Sequence, residues 1–223
     1  ALAYQRAKNV SDTNAFGTLE NLYQSGKEWF LQSTLSYPLK ETNFRIMVGG
    51  ERCLQPYSMS VFNISAMSFG SLSAAAIEAL NQGAKLGGFA HDTGEGAISP
   101  YHKKHGGDLI WELGTGYFGC RNHDGTFSAE KFAERSRIEQ VKMIEIKLSQ
   151  GAKPGKGGVL PKEKITPEIA ETRDVPMDAD CVSPASHSAF TTPREMVQFW
   201  QQLRELSGGK PVGFKLCVGQ PWQ

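Results

Sequence analysis

The chain of 223 residues lacks any apolar segment of about 18 residues, the length that a membrane-crossing helix needs. It also lacks a surplus of charge. With 24 Lys and Arg against 23 Asp and Glu it carries +1 at neutral pH, which gives no field to recruit nucleic acid or a lipid surface. Cysteines are few and scattered: Cys53, Cys120, Cys181 and Cys217 include no C-x-x-C pair. Neither a disulfide framework nor an iron–sulfur ligand set can be read from them, and reduced, mostly buried thiols are expected. No repeat or low-complexity tract stands out. The opening ALAYQRAKNVSDTNAF does not have the charged and then apolar layout of a signal peptide, so a cytoplasmic protein is the expectation. At 39% hydrophobic and 21% charged residues the composition is that of a globular domain.

Several site motifs are approached and missed. Residues 150–158, QGAKPGKGG, hold four glycines and two lysines but no acid, which suits an anion. A P-loop is excluded by register, because Lys156 lies five places after Gly151 and Gly157 stands where the hydroxyl should be. Lys153 follows an apolar run closely and precedes Pro154, which restricts its backbone, whereas Lys156 is surrounded by glycine and reads as solvated. GTGYFG, residues 114–119, is a literal G-x-G-x-x-G. A dinucleotide site needs a helix to start inside the motif, and here CRNHDGTF intervenes. It reads instead as a loop that lets backbone approach a flat ligand. No G-x-S-x-G elbow accompanies His187, which is therefore a structural or ligand-lining histidine. His102, His105, Cys120 and His123 could supply four zinc ligands, but the familiar Cys/His spacings are not met, and a solvated loop competes with that reading. Glu95, in HDTGEG, is either a cleft carboxylate or an exposed loop acid. Arg173 offers a bidentate grip on a carboxylate, or an ordinary surface charge.

Periodicity organises the rest. Residues 1–59 read as an N-terminal extension packing on the main domain, with a partly helical tract over 19–35 and extended segments after it. From residue 60 to 223 strands and helices alternate: strand 61–69, helix 71–87 capped by Ser71 or Ser73, a short strand ending at Asp92, strand 109–113, helix 128–138 and strand 141–148. A short helix over 166–173, a strand beginning at Cys181, a helix over 192–206 with Met196, Val197, Trp200 and Leu203 on one stripe, and a final strand 211–219 follow. Such alternation implies parallel pairing. The polar, glycine-rich stretches SAMSFGS, HDTGEG, ELGTGYFG, SQGAKPGKGG and SPASHSAF each follow a strand, and in a (β/α)₈ barrel that end carries the active site. A doubly wound sheet would use only its switch point. A barrel takes about 250 residues for eight units, so the sequence is expected to supply only the first five or so strands of a partial TIM barrel.

The combined strings SAMSFGSLS, GGFAHDTGEG, GTGYFG, KLSQGAKPGKGGVLPKEKITPEIAETR, VSPASHSAF and PVGFKL resemble, in order from about Ser60 onwards, the FMN-binding synthase domain of the glutamate synthase family, in its short form without a glutaminase domain. The resemblance implies a (β/α)₈ barrel in which FMN lies across the strand ends and 2-iminoglutarate, formed from 2-oxoglutarate and ammonia, is reduced to L-glutamate. It implies that Ala66, Met67 and Ser68 lie along the flavin ring and that Thr93 and Glu95 stand near the flavin and the incoming nitrogen. Gln150, Lys153 and Arg173 would grip the keto acid, with Glu95 and Lys153 as catalytic groups and Gln150 also near the cofactor. Lys215 would lie near the flavin's N1 and O2 side. An electron-donor protein or reductase subunit is the partner implied. The family's iron–sulfur cysteines and FMN-phosphate loops have no counterpart in these residues, so the chain alone is expected to be inactive. Where large synthases have G-R-F-G, this chain has Gly116-Tyr117-Phe118-Gly119, which removes one carboxylate contact and leaves an N-substituted glutamate or another 2-oxo acid as an alternative. A barrel enzyme clamping a phosphorylated substrate with Lys153 and Lys156, and a non-catalytic zinc module, are the remaining alternatives.

Overall fold

The structure, a computed structural model, describes residues 2–10, 21, 23–28, 34–35, 38, 43–149 and 157–220. The chain divides into two compact units, Ala1–Thr42 and Asn43–Gln223. The described residues of the first contain one short helix, α1 (Leu2–Ala7); most of the helical tract expected over 19–35 lies outside the described residues. The second unit opens with β1 (Arg45–Val48) and β2 (Tyr57–Ser60), paired antiparallel. The expected extension, residues 1–59, thus spans the first unit and most of this ribbon.

The helices of the second unit are α2 (Ala74–Gly87), α3 (Pro100–Lys103), α4 (Ala129–Ser136), α5 (Pro167–Arg173) and α6 (Pro193–Leu206). Its further strands are β3 (His91–Asp92), β4 (Leu109–Leu113), β5 (Val141–Lys147), the two-residue β6 (Val159–Leu160) and β7 (Cys181–Val182), and β8 (Val212–Lys215). β3, β4, β5 and β8 form one parallel sheet in that order. Local chemistry fixes the helix ends. Ser73 caps α2 by accepting from Ala76 N–H, and Gly88 closes it in the left-handed conformation. Thr192 and Glu195 form a reciprocal capping box at α6, with Pro193 in its first turn.

Two expected strands differ. Over 61–69 pairing is reduced to two isolated parallel bridges, Ile64 with His91 and Phe69 with Leu72. The segment turns back instead, with Leu72 N–H donating to Ser68 O and Gly70 at φ 99°; Val61 and Phe62 are exposed, so no apolar face demands a longer strand. The strand expected at Cys181 is the pair Cys181–Val182, and it joins β6 antiparallel rather than the parallel sheet. β6 and β7, on either side of α5, pair with each other, and β8, which follows α6, takes the place beside β5. The segment from β6 to β7 is an excursion over the strand ends.

One face of the sheet is apolar. Trp111, Leu113, Ile144, Ile146 and Val212 pack with Phe132 of α4 and with Phe199 and Leu203 of α6, and Trp111 stacks on Phe132 with centroids 5.2 Å apart. On α6 the buried stripe runs through Phe199 and Leu203, while Val197, expected on it, is exposed. Burial on this face drives the assembly of sheet and helices. The other face begins with Ile110 and Met143 and then turns ionic.

Candidate functional site

Side chains alternate across a strand, so Glu112 projects away from Trp111 and Leu113, and Glu145 and Lys147 project away from Ile144 and Ile146. Register does the rest. Glu112 stands opposite Glu145, and Lys147 opposite Lys215. Above them, at the carboxyl edge of the sheet, opens a cavity of about 310 Å³. Its floor is Glu112, Lys147 and Lys215; Ala66, Ser68 and Glu95, and Leu160, Arg173 and Cys181 of the β6–β7 excursion, also line it.

Glu95 is held by close backbone. A Cβ at Gly114 would come within 2.8 Å of its Cβ, and one at Gly158 within 2.7 Å of its Oε1. Its Oε2 lies 3.2 Å from Lys147 Nζ, and the same ammonium is 3.9 Å from Glu112 Oε1. Lys215 Nζ donates to Glu112 Oε2. Burial alone would lower the Lys215 pKa, but the hydrogen bond and charge of Glu112 outweigh it and raise it. Burial pushes the Glu112 carboxyl upward while the Lys215 and Lys147 ammonium groups act against that.

Below lies a trio of carboxylates, Asp92, Glu112 and Glu145, with oxygens within 4.8 Å of one another. Burial first, and then the charges of Glu112 and Glu145, raise Asp92 well above the usual carboxylate range. Asp92 Oδ1 accepts from Gly94 N–H at 2.8 Å, which acts against that rise.

Two histidines brace the rim. His102 Nε2 is 3.1 Å from Met67 O, and its Nδ1 accepts from Ser99 N–H at 3.1 Å with Ser99 Oγ at 2.8 Å. The neutral ring protonated at Nε2 satisfies all of these contacts. His187 Nε2 is 2.8 Å from Lys147 O and its Nδ1 is 3.0 Å from Tyr117 Oη, so the same tautomer fixes the end of β5. His187 is thus structural, holding the backbone of a cavity residue.

Among the residues singled out in the sequence, Ala66, Ser68, Glu95, Arg173 and Lys215 meet in this cavity. Arg173 is buried, donating from Nη2 to Phe69 O at 2.8 Å and from Nη1 to Cys181 Sγ at 3.7 Å. It ties the excursion to the loop after Ile64. Met67 packs on the apolar cluster around Phe69 and presents only backbone, to His102 and Asp92. Thr93 is buried, its hydroxyl bonded to Gly94 O and Glu112 N–H, so it braces Glu112. Gln150, Lys153 and Lys156 lie outside the described residues. Tyr117 is fully buried in the core. His102, His105, Cys120 and His123 are not brought together: among the described residues the one cluster with metal-ligand spacing is the carboxylate trio, and both His102 nitrogens are engaged. Glu112, Glu145 and Lys147 were passed over in the sequence, although charged residues inside LIWEL and VKMIEIKL are the kind of misfit that marks a polar face.

The chain is therefore a mixed α/β protein with an ionic cavity at the carboxyl ends of its parallel strands, where such sheets bind ligands. Residues 12–223 match the family described as a conserved region in glutamate synthase, and the chain belongs to the glutamate synthase family. It is 43% identical over 177 residues to the glutamate synthase large subunit-like protein YerD of Bacillus subtilis (strain 168), covering 78% of this chain and 33% of that protein. It is 36% identical over 155 residues to the archaeal-type glutamate synthase [NADPH] of Thermotoga maritima, covering 69% and 28%. A glutamate synthase large subunit-like protein of Rhizobium meliloti is 27% identical over 223 residues, 97% of this chain and 48% of that one. The chain thus spans between 28% and 48% of the length of these relatives. Among the described residues no helix is long and apolar enough to cross a membrane.

Proposed function

We propose that this chain forms part of a glutamate synthase-like, FMN-dependent oxidoreductase that reduces 2-iminoglutarate, made from 2-oxoglutarate and ammonia, to L-glutamate. Family membership supports the reading, and one observation carries it: Glu95, Lys147 and Lys215, from separate parts of the chain, converge on a single cavity at the strand ends. On this reading the Ile64 segment, β3, β4, β5 and β8 are the first five strands of a (β/α)₈ barrel, and the ionic face is turned towards its axis.

The residues present fit the ring of FMN. A flat ring needs a wall without bulky side chains, which Ala66, Ser68 and Gly94 supply, and a cation for the charge gained on reduction, which Lys215 supplies. When bound, the flavin would provide the hydride for the imine carbon. The chain's own groups do the remainder. Lys153, Gln150 and Arg173 hold the carboxylates of the keto acid by charge-assisted bonds. Glu95 takes a proton from the incoming nitrogen and returns one to the departing oxygen as water leaves. The excursion from β6 to β7 covers the reacting carbon and limits water.

Tyr117 favours a second reading at the level of substrate. Its hydroxyl is spent on His187 and Ala189 N–H inside the core, so this position offers nothing to a carboxylate, and an N-substituted glutamate or another 2-oxo acid would lose nothing there.

The test is the visible spectrum and 2-oxoglutarate affinity of full-length protein. Oxidised-flavin absorbance and binding are expected. Lys153→Ala should weaken 2-oxoglutarate binding with flavin content kept, while Arg173→Ala, which also releases Phe69, should lower both. A colourless wild-type protein that ignores 2-oxoglutarate sinks the proposal.

A further inference from the structure

The floor of the cavity is charged in two layers. Glu112 and Glu145 are register partners on β4 and β5; two residues further along β5, Lys147 and Lys215 are register partners on β5 and β8. Like charges directly opposite each other weaken a sheet, and here this happens twice on neighbouring strands. Glu112 answers the upper conflict. Its side chain is 1% exposed, it accepts a hydrogen bond from Lys215, and it lies 3.9 Å from Lys147. Thr93 Oγ1, at 3.2 Å, accepts from its backbone N–H and fixes the strand at that point. A sheet face that needed only stability could be filled with apolar side chains, since a buried ion pair often does no better than they do. Ile110 and Met143, register partners one layer below, are filled in that way.

Resting on the function proposed above, we propose that Glu112 is the positioning residue of this site: from within the cavity floor its nearly buried carboxylate sets the spacing of Lys147 and Lys215 and supplies their shared counter-charge, so that a flat or carboxylate-bearing anion meets two fixed cations. Lys147 thereby joins Lys215 as an anion-facing group. Long ammonium side chains left to themselves must be ordered by the ligand when it binds. Here the ordering is already done by a carboxylate that is 1% exposed at the cavity floor.

The groups facing Glu112 are Asp92 from β3, Glu145 and Lys147 from β5, and Lys215 from β8, with Glu95 on the far side of Lys147. Removal of the Glu112 charge leaves two ammonium groups opposed across β5 and β8. Their repulsion makes one of them give up its proton more readily as pH rises, and anion binding must then acquire an alkaline limb. A merely structural role would not move that limb.

The experiment is calorimetric titration of flavin-loaded, full-length wild type, Glu112→Gln and Glu112→Asp with 2-oxoglutarate, between about pH 6.5 and about pH 9. We expect the Glu112→Gln affinity to fall about tenfold more than the wild-type affinity across that range, the loss given by an ammonium that titrates about one unit below the upper pH, and Glu112→Asp to restore most of the wild-type profile. Parallel profiles for wild type and Glu112→Gln overturn the assignment and leave the proposed function standing. A wild type that binds neither flavin nor 2-oxoglutarate overturns both. If Glu112→Gln does not fold, Glu112→Gln/Lys215→Met, which removes one ammonium with the carboxylate, is compared with Lys215→Met. The single variant keeps Glu112 for Lys147 and should hold its affinity to higher pH than the double variant; coincident profiles overturn the assignment.

Discussion

His91 is the residue whose replacement tests the packing argument most sharply. It is fully buried, and neither ring nitrogen has a hydrogen-bond partner among the described residues; its ring lies 5.1 Å from that of His102. Burial, and then the charge of His102, push its pKa down from 6.5 to about 4. Between these values the unfolded chain binds a proton that the folded chain refuses, so stability falls as pH drops below 6.5 and levels off near 4. Integrated to pH 5, this loss is about 2 kcal/mol, a large share of the roughly 5–15 kcal/mol that holds a domain folded. His91→Leu removes both orphaned nitrogens at similar volume. At pH 8 it should leave stability unchanged or raise it by about 1 kcal/mol. At pH 5 its advantage over wild type should have grown by about 2 kcal/mol. Urea unfolding of both proteins at the two pH values reads this directly. An advantage that is the same at pH 8 and pH 5 refutes the reasoning, because His91 would then titrate as it does in the unfolded chain.

Three further outcomes are expected. Asp92→Asn keeps the acceptor for Gly94 N–H and removes a carboxyl whose pKa is raised on folding; it should stabilise the protein at neutral pH, the gain shrinking as pH falls towards 3.8, and a gain that does not depend on pH contradicts the linkage. Gly158→Ala would place a Cβ 2.7 Å from Glu95 Oε1; because a carboxylate end can swing aside, the melting temperature should hold while turnover falls, and unchanged turnover would remove Glu95 from the proposed chemistry. Phe132→Ala empties a fully buried site against Trp111 and should cost about 3–5 kcal/mol in chemical denaturation; a loss under about 1 kcal/mol would mean that the α4 face does not hold the sheet.

Much of this organisation was legible in the order of residues. The runs LIWEL and VKMIEIK stand as β4 and β5, Ser73 rather than Ser71 caps α2, and α4 and α6 begin within a residue of the expected starts. Each of these signals is local, since a cap or a period is complete within a few residues. The segments at 61–69 and at Cys181 were harder, because whether a short apolar stretch joins a sheet depends on which neighbour reaches the edge first. Cys181 pairs with Leu160 of β6 instead, and the place beside β5 goes to β8.

The sequence by itself determined the family, the alternation of strands and helices, and the candidacy of Glu95, Arg173 and Lys215, because motif strings and periodicity are written in consecutive residues. Only the tertiary structure decided that Glu112 and Lys147 belong with them, that Met67 and Thr93 face backbone rather than cavity, and that Tyr117 lies in the core. Those outcomes depend on register between strands far apart in the chain. A charge in an apolar run says that a polar face exists, and the pairing of β4 with β5 and of β5 with β8 determines which charges share it.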